Sequence, residues 1–386
     1  MTNYLNLIFN PQIRYEKIFE VMRDRRKGGL SPEMYSEFID SVKSLPPLHL
    51  IQPSDFLIFD KFNLSDVSEA DHQNLIKEVM RRGIEESKKC WHPNEGINTC
   101  NLDENDKILI SAAHSVQNNG ILNRIAEDGH VMSYAFDKSE IEGSRLGRNL
   151  ASIFWGFCNN HDSIFSPIET IPYDNTDEQN FLFAYRAFVV SSHKKNEVST
   201  WINYGEQSEN DILENKKIFD NAILNKNYSV IKTEVIELEL FYPIAVSSSF
   251  YLDYDFNGNP IPHSEDKMED IYITLFPTAN NKTLFLLSYL EQDSHLYENL
   301  VTQLKERNNL KSDISMLIAA HTENVYFNPI YYKTFIDQHS ENILKLVHET
   351  QFDFARVDEN GNITNNVSLT PNNYLSNIYN INFFGY

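Results

Sequence analysis

Cysteine and positive charge are both scarce in this 386-residue chain: three cysteines, and 33 Lys and Arg against 55 Asp and Glu, for a formal net charge of −22. Three cysteines cannot make a disulfide framework for a chain of this length. They are expected as buried hydrophobes or as ligands in a reducing compartment. A surface this acidic repels phosphate backbones. The compact basic stretches are Arg23–Lys27, the pair Arg81 and Arg82, and Lys194–Lys195, all of them short. Nucleic acid is therefore expected as a partner only where a bound cation or a local basic patch neutralises charge. Long apolar runs are missing as well, since no window approaches the ~18 consecutive apolar residues of a membrane span. The opening MTNYLNLIFNPQ has no basic start, no sustained apolar core and no small-residue cleavage site. These absences point to a cytoplasmic chain without a membrane partner. Neither G-x-x-x-x-G-K-[ST] nor G-x-G-x-x-G occurs, and no serine sits in G-x-S-x-G, so P-loop, Rossmann and elbow-serine chemistry have no sequence support.

What is present reads as a globular chain of two or three structural units, with 41% hydrophobic and 23% charged residues. Residues 1–88 are expected as a helical layer: Tyr15, Ile18, Phe19 and Met22, then Met34, Phe38, Ile39 and Val42, then Leu75, Ile76, Val79 and Met80 recur at helical spacing. Pro46, Pro47 and Pro53 interrupt that pattern. Residues 89–200 have a different texture, with short elements, frequent glycines and every cysteine. A helix is expected over 176–193, where Thr176 and Gln179 fit a capping box. Residues 201–386 read as an α+β domain. Strand signals dominate from Ser229 to Leu290, with Pro277–Lys282 as a hairpin loop, and helical periodicity returns at Leu296–Glu306, Lys311–Ala320 and Pro329–Glu349. Asp253, Asp255, Asn257 and Gly258 begin an EF-hand loop, but Pro260 interrupts it and Ser264 stands where a bidentate glutamate is required, so a turn is expected.

The chemistry concentrates in CWHPNEGINTC (90–100) and FWGFCNNHDSIFSPIE (154–169). Cys158 and His161 are three residues apart, which on a helical turn or knuckle aims both donors at one ion. Cys90 and Cys100 add two thiolates from one loop, completing a Cys3His set suited to tetrahedral Zn2+. The nine residues between Cys90 and Cys100 exceed the usual two to four, and Pro93 and Gly96 are the positions that can bend the loop back. His92 is the alternative to His161 as fourth ligand. His114 follows the apolar run Ile108–Ile110, where a strand would present it as a general base; a histidine bonded to the start of a helix near 117–125 is the other reading. His130 is expected to open a second strand in a structural role. Asp162 suits the orientation of a metal-bound imidazole, the binding of a second ion, or a solvated helix start.

Several short motifs carry a resemblance: Cys90 and Cys100, Ala113-His114-Ser115-Val116-Gln117, Leu122-x-x-Ile125-Ala126, Gly129-His130-Val131, and Gly156-Phe157-Cys158-x-x-His161-Asp162-x-x-Phe165-x-Pro167-Ile168-Glu169. Together, over about 90–186, they resemble a family of bacterial proteins of uncharacterised function. A looser similarity is to HNH nucleases of the ββα-metal type. There, a strand-end histidine activates water, and a Cys-x-x-Cys/His knuckle followed by a helix binds structural zinc. The paired CxxC knuckles of those nucleases are missing here. The resemblance implies a treble-clef-like zinc core, and with the periodicity read above the expected fold is α+β, with an N-terminal helical layer and a C-terminal antiparallel sheet with helices. The expected function is that of a zinc protein whose Zn2+ is structural. The alternatives are an HNH-like nuclease or phosphodiesterase, with His114 as base, Asp162 beside it and a second divalent cation, and an acidic module that binds a basic protein partner.

Overall fold

In the computed structural model, residues 87–137, 140–199, 206–264, 267, 269–350 and 378–385 are described, with short pieces at 37, 84–85, 356–357 and 363–364. The helical layer expected over 1–88 therefore lies outside the described residues except at 37, 84–85 and 87–88. The chain divides into two compact units: Met1–Lys88, His193–Glu209 and Val357–Thr364 form one, and Lys89–Ser192, Asn210–Arg356 and Asn365–Tyr386 the other. The metal-ligand candidates and the main sheet belong to the second.

Nine strands are used below: β1 (Ile110–His114), β2 (His130–Asp137), β3 (Glu140–Gly147), β4 (Ile153–Cys158), β5 (Ile231–Leu238), β6 (Ile244–Phe250), β7 (Ile271–Pro277), β8 (Thr283–Leu290) and β9 (Val325–Phe327). Seven of them form one antiparallel sheet in the order β3-β2-β9-β6-β7-β8-β5. β1 and β4 pair separately, also antiparallel. The fold is α+β, as expected, and the hairpin loop after Pro277 lies where the sequence placed it.

β7 (IYITLFP) and β8 (TLFLLSYL) are buried at every position, which is why they read as continuous apolar runs and not as alternating ones. Both faces of the sheet are covered. Ile271, Ile273, Leu275, Phe285 and Leu287 join one core with Leu296, Leu300, Ile314, Leu317 and Leu346. These last come from α3 (Ser294–Glu306), α4 (Leu310–His321) and α5 (Ser340–Thr350). The alternate residues Tyr272, Phe276, Leu284 and Leu286 join a second core with Phe183, Phe188 and Phe219, from α1 (Asp177–Ser199) and α2 (Glu206–Asn225). Phe183 stacks on Phe276 with ring centroids 5.1 Å apart. Trp91, Phe154, Phe157 and Phe165 belong to this second core, so the metal-ligand segment is packed against α1 and through it onto the sheet.

Local chemistry explains several element ends. Asp128 and Gly129, at φ 48° and 73°, supply the two left-handed positions of a tight turn bridged by Glu127 and His130, and β2 starts at His130 as expected. Thr176 Oγ1 accepts from Gln179 N at 3.3 Å, but the Gln179 carboxamide turns away to Asp174 N and to the carbonyls of Pro167 and Pro172. The capping box is therefore half formed. The helix expected over 329–349 is broken into Pro329–Tyr331, a π-turn at Tyr332–Ile336 and a 3₁₀ turn before α5. The wider turn lets Tyr332 and Ile336 both bury. Asp255 Oδ1 accepts from the backbone N–H groups of Asn257 and Asn259, and Oδ2 accepts from Gln303 Nε2 at 2.8 Å. Its oxygens are committed to a turn. Among the described residues no helix is long and apolar enough to cross a membrane.

Candidate metal centre

The loop from Cys90 to Cys100 closes on itself through two successive turns. Glu95 N donates to His92 O at 2.9 Å, and Cys100 N donates to Gly96 O at 2.9 Å. Pro93 and Gly96 sit at these bends, which is how nine intervening residues bring two thiols together. The loop is fastened to β4 by Trp91 N donating to Gly156 O at 2.9 Å, and to α1 by Tyr185 Oη donating to Trp91 O at 3.2 Å. β1 and β4 run side by side with Ile110 opposite Cys158 and His114 opposite Ile153. Cys158 is thus the last residue of β4, and the turn Asn159–Asp162 that follows carries His161. Helical turns continue through Ser163–Phe165 and Ser166–Glu169.

These pieces converge on one point. His161 Nδ1 lies 3.4 Å from Cys90 Sγ, 3.4 Å from Cys100 Sγ and 3.4 Å from Cys158 Sγ. With Zn–S about 2.3 Å and Zn–N about 2.0–2.1 Å, a tetrahedral ion sets its sulfur and nitrogen ligands about 3.6 Å apart. The three equal distances match that edge. All four ligand atoms lie within 4.8 Å of one another, so the group could hold a metal ion, and its thiolate and imidazole donors are compatible with zinc. Cys90, Cys158 and His161 are buried, while Cys100 is half-buried.

Burial pushes the Cys90 thiol up to about 12 and raises Cys100 as well. Burial acts the same way on Cys158, but the backbone N–H groups of His161 and Asn101, with the neighbouring thiols, outweigh it and hold that thiol low. Backbone N–H groups of Cys158 and His92 also reach Cys90, and Gly96 N reaches Cys100 Sγ at 3.5 Å. Each sulfur is thus met by main-chain donors, the arrangement that stabilises a thiolate. Burial lowers His161, keeping its ring neutral and available as a ligand.

His92 takes a different position from the four. Its ring stacks parallel on His161, centroids 4.1 Å apart, and its Nδ1 accepts from Asn94 N at 3.1 Å. It covers the His161 imidazole from one side and belongs to its own loop. Across the centre, Asn160 N donates to Asn101 Oδ1 at 2.7 Å and Asn160 Nδ2 donates to Thr99 O at 2.9 Å. Neither asparagine stands out in the sequence, since exposed asparagines in loops are ordinary.

His114 closes β1, where its Nδ1 lies 3.1 Å from Ala151 O and 3.1 Å from Ser152 Oγ. A carbonyl only accepts, so Nδ1 carries the hydrogen and the lone pair of the neutral ring is on Nε2. Burial lowers its pKa; the Ala151 carbonyl opposes this, Arg186 adds to it and Glu169 counters. Ser152 holds a left-handed backbone, φ 59°, and its hydroxyl donates to Val116 O at 3.2 Å. Asp162 is raised by burial, with Arg186 lowering it and Glu169 raising it. No hydrogen bond joins Asp162 to His161 among the described residues. Arg186, buried on α1, pairs with Glu169 and lies over the Phe165 ring at 4.2 Å. His114, Asp162, Glu169 and Arg186 therefore share one electrostatic neighbourhood. Arg186 and Glu169 carry no motif that would have singled them out. His130 Nδ1 faces Asp128 O at 2.8 Å, inside the turn that opens β2.

Set against protein-family models, curated proteins and solved structures, the chain matches none.

Proposed function

We propose that this chain is a zinc protein, of the bacterial family it resembles, in which Zn2+ bound by Cys90, Cys100, Cys158 and His161 has a structural role in a treble-clef-like core. The observation that carries the reading is the set of three equal 3.4 Å separations between His161 Nδ1 and the three sulfurs. The loop that carries Cys90 and Cys100, the antiparallel pair β1 and β4, and the turn after Cys158 that carries His161 support a treble-clef-like reading, with β2 and β3 inserted in the chain between β1 and β4. Four protein donors close the coordination sphere, and a closed sphere is the mark of a structural zinc. A reducing, cytoplasmic setting would keep the thiols available. Zinc then supplies folding free energy to a segment rich in loops.

The test is metal analysis of the purified chain with anomalous scattering at the zinc edge, followed by thermal unfolding with and without a chelator. One zinc per chain at the four named ligands, and a lower midpoint after chelation, are expected. A chain that carries no zinc and unfolds at the same temperature with chelator defeats the reading.

One observation favours a second reading, an HNH-like metal-dependent phosphodiesterase. His114 has its Nδ1 committed to Ala151 O, its pKa lowered and Nε2 left as the proton acceptor. In that chemistry Nε2 takes a proton from water while a cation neutralises charge on the phosphate. The cation is a second one, because a zinc with four protein ligands has no open position. Cleavage of DNA or RNA with added Mg2+ or Mn2+, lost in a His114→Ala variant that keeps its zinc, is the outcome this reading requires. A parent chain inert on both polymers retires it.

A further inference from the structure

The four ligands come from two separate pieces of chain, the loop that ends at Cys100 and the turn that runs from Cys158 to His161. For an ion to meet a finished site, something other than the ion must hold these pieces together. Asn160 lies between two ligands and Thr99 and Asn101 flank a third. The Asn160 main-chain N–H donates to Asn101 Oδ1 at 2.7 Å, and its side-chain Nδ2 donates to Thr99 O at 2.9 Å. The two asparagines thus grip the peptide on both sides of Cys100 and set it against the turn that carries Cys158 and His161. Asparagine suits both places, since one carboxamide offers an acceptor and a donor at short reach.

We propose that this Asn101–Asn160 clip assembles the ligand set in advance and thereby sets the zinc affinity of the centre. The inference rests on the reading of the Cys3His group as a zinc site. Both asparagines and Thr99 are exposed, so they add nothing to the apolar core. Their two hydrogen bonds act on geometry. A partner that pre-arranges a binding site removes part of the ordering cost that binding would otherwise bear. Groups that orient metal ligands from outside the coordination sphere typically change affinity by about 10- to 100-fold when removed. Asn101 and Asn160 are positioning residues: they touch the main chain around the ligands and leave the metal to the thiolates and the imidazole.

The experiment uses the full chain with Zn2+ and measures its Kd by competition with a chromophoric chelator; the absorption spectrum of the Co2+-substituted protein reads the ligand set. Asn101→Ala and Asn160→Ala are expected to bind Zn2+ about tenfold more weakly than the parent. Their Co2+ spectra should match the parent's, and their metal-free forms should unfold at the parent's temperature. Asn101→Asp, which keeps an oxygen acceptor for Asn160 N, is expected to retain parent-like affinity. If the parent binds zinc and both alanine variants match its Kd, the clip is refuted while the zinc reading stands. A changed Co2+ spectrum, or an Asn101→Asp variant as weak as Asn101→Ala, also refutes it. A parent that binds no zinc overturns the zinc reading, and the clip with it.

Discussion

Two histidines in the metal segment lie face to face, and hydrogen bonding separates their roles. His161 turns Nδ1 toward all three sulfurs, whereas His92 spends its Nδ1 on Asn94 N. On the proposed zinc reading, His161→Ala is therefore expected to lose the metal. His92→Ala should keep one zinc per chain, with its affinity reduced at most through loss of the stacked ring. Metal analysis of the two purified variants checks this, and the reverse pattern would exchange their assignments. Cys158→Ser should lose zinc as His161→Ala does, because a buried position offers no water-filled space for a replacement ligand. The i, i+3 pair Cys158 and His161 could be read in the sequence because one helical turn decides it. The pairing of Cys90 with Cys100 could not be secured there, since the gap is closed by hydrogen bonds at His92–Glu95 and Gly96–Cys100 that no spacing rule anticipates.

Strands β7 and β8 are interior strands of the sheet, with cores on both faces. Phe285 on β8 is fully buried, and its replacement by alanine is expected to cost about 3–5 kcal/mol, read from urea unfolding of the two proteins. A loss under about 1 kcal/mol would mean that the site collapses around the smaller side chain. His321, at the end of α4, stacks on Phe250 of β6, centroids 4.5 Å apart, and burial lowers its pKa from 6.5 to about 4. The sign follows directly. The unfolded chain binds the proton more readily, so the contribution of His321 is present above 6.5 and lost as pH falls toward about 4. Thermal midpoints measured across that range should fall with acidification, and less steeply in a His321→Gln variant. The buried strands, the loop after Pro277 and helices α3 and α4 were all legible, because apolar runs and periodicity are local properties. The broken helix after Pro329 was not, because its π-turn answers to the burial of Tyr332 and Ile336 in the core.

A formal charge of −22 acts on the whole chain through self-repulsion. Screening reaches about 10 Å at 0.1 M salt, so moderate NaCl is expected to raise the thermal midpoint of the protein. Unfolding scans at low and moderate NaCl check this, and a midpoint that falls with salt would show that attractive ion pairs outweigh the repulsion. Such pairs exist, among them Lys267 with Asp293 and Arg307 with Asp313, both largely shielded from solvent. The sequence already determined the charge, the donor chemistry of the Cys3His group and the kind of most described elements, because each is a property of residue types or of short-range spacing. Only the tertiary structure decided that β2 and β3 share one sheet with β5–β8, that His161 and not His92 faces the sulfurs, and that Asn160 reaches Asn101. Those outcomes depend on strand register and on contacts between residues far apart in the chain, which local periodicity does not encode.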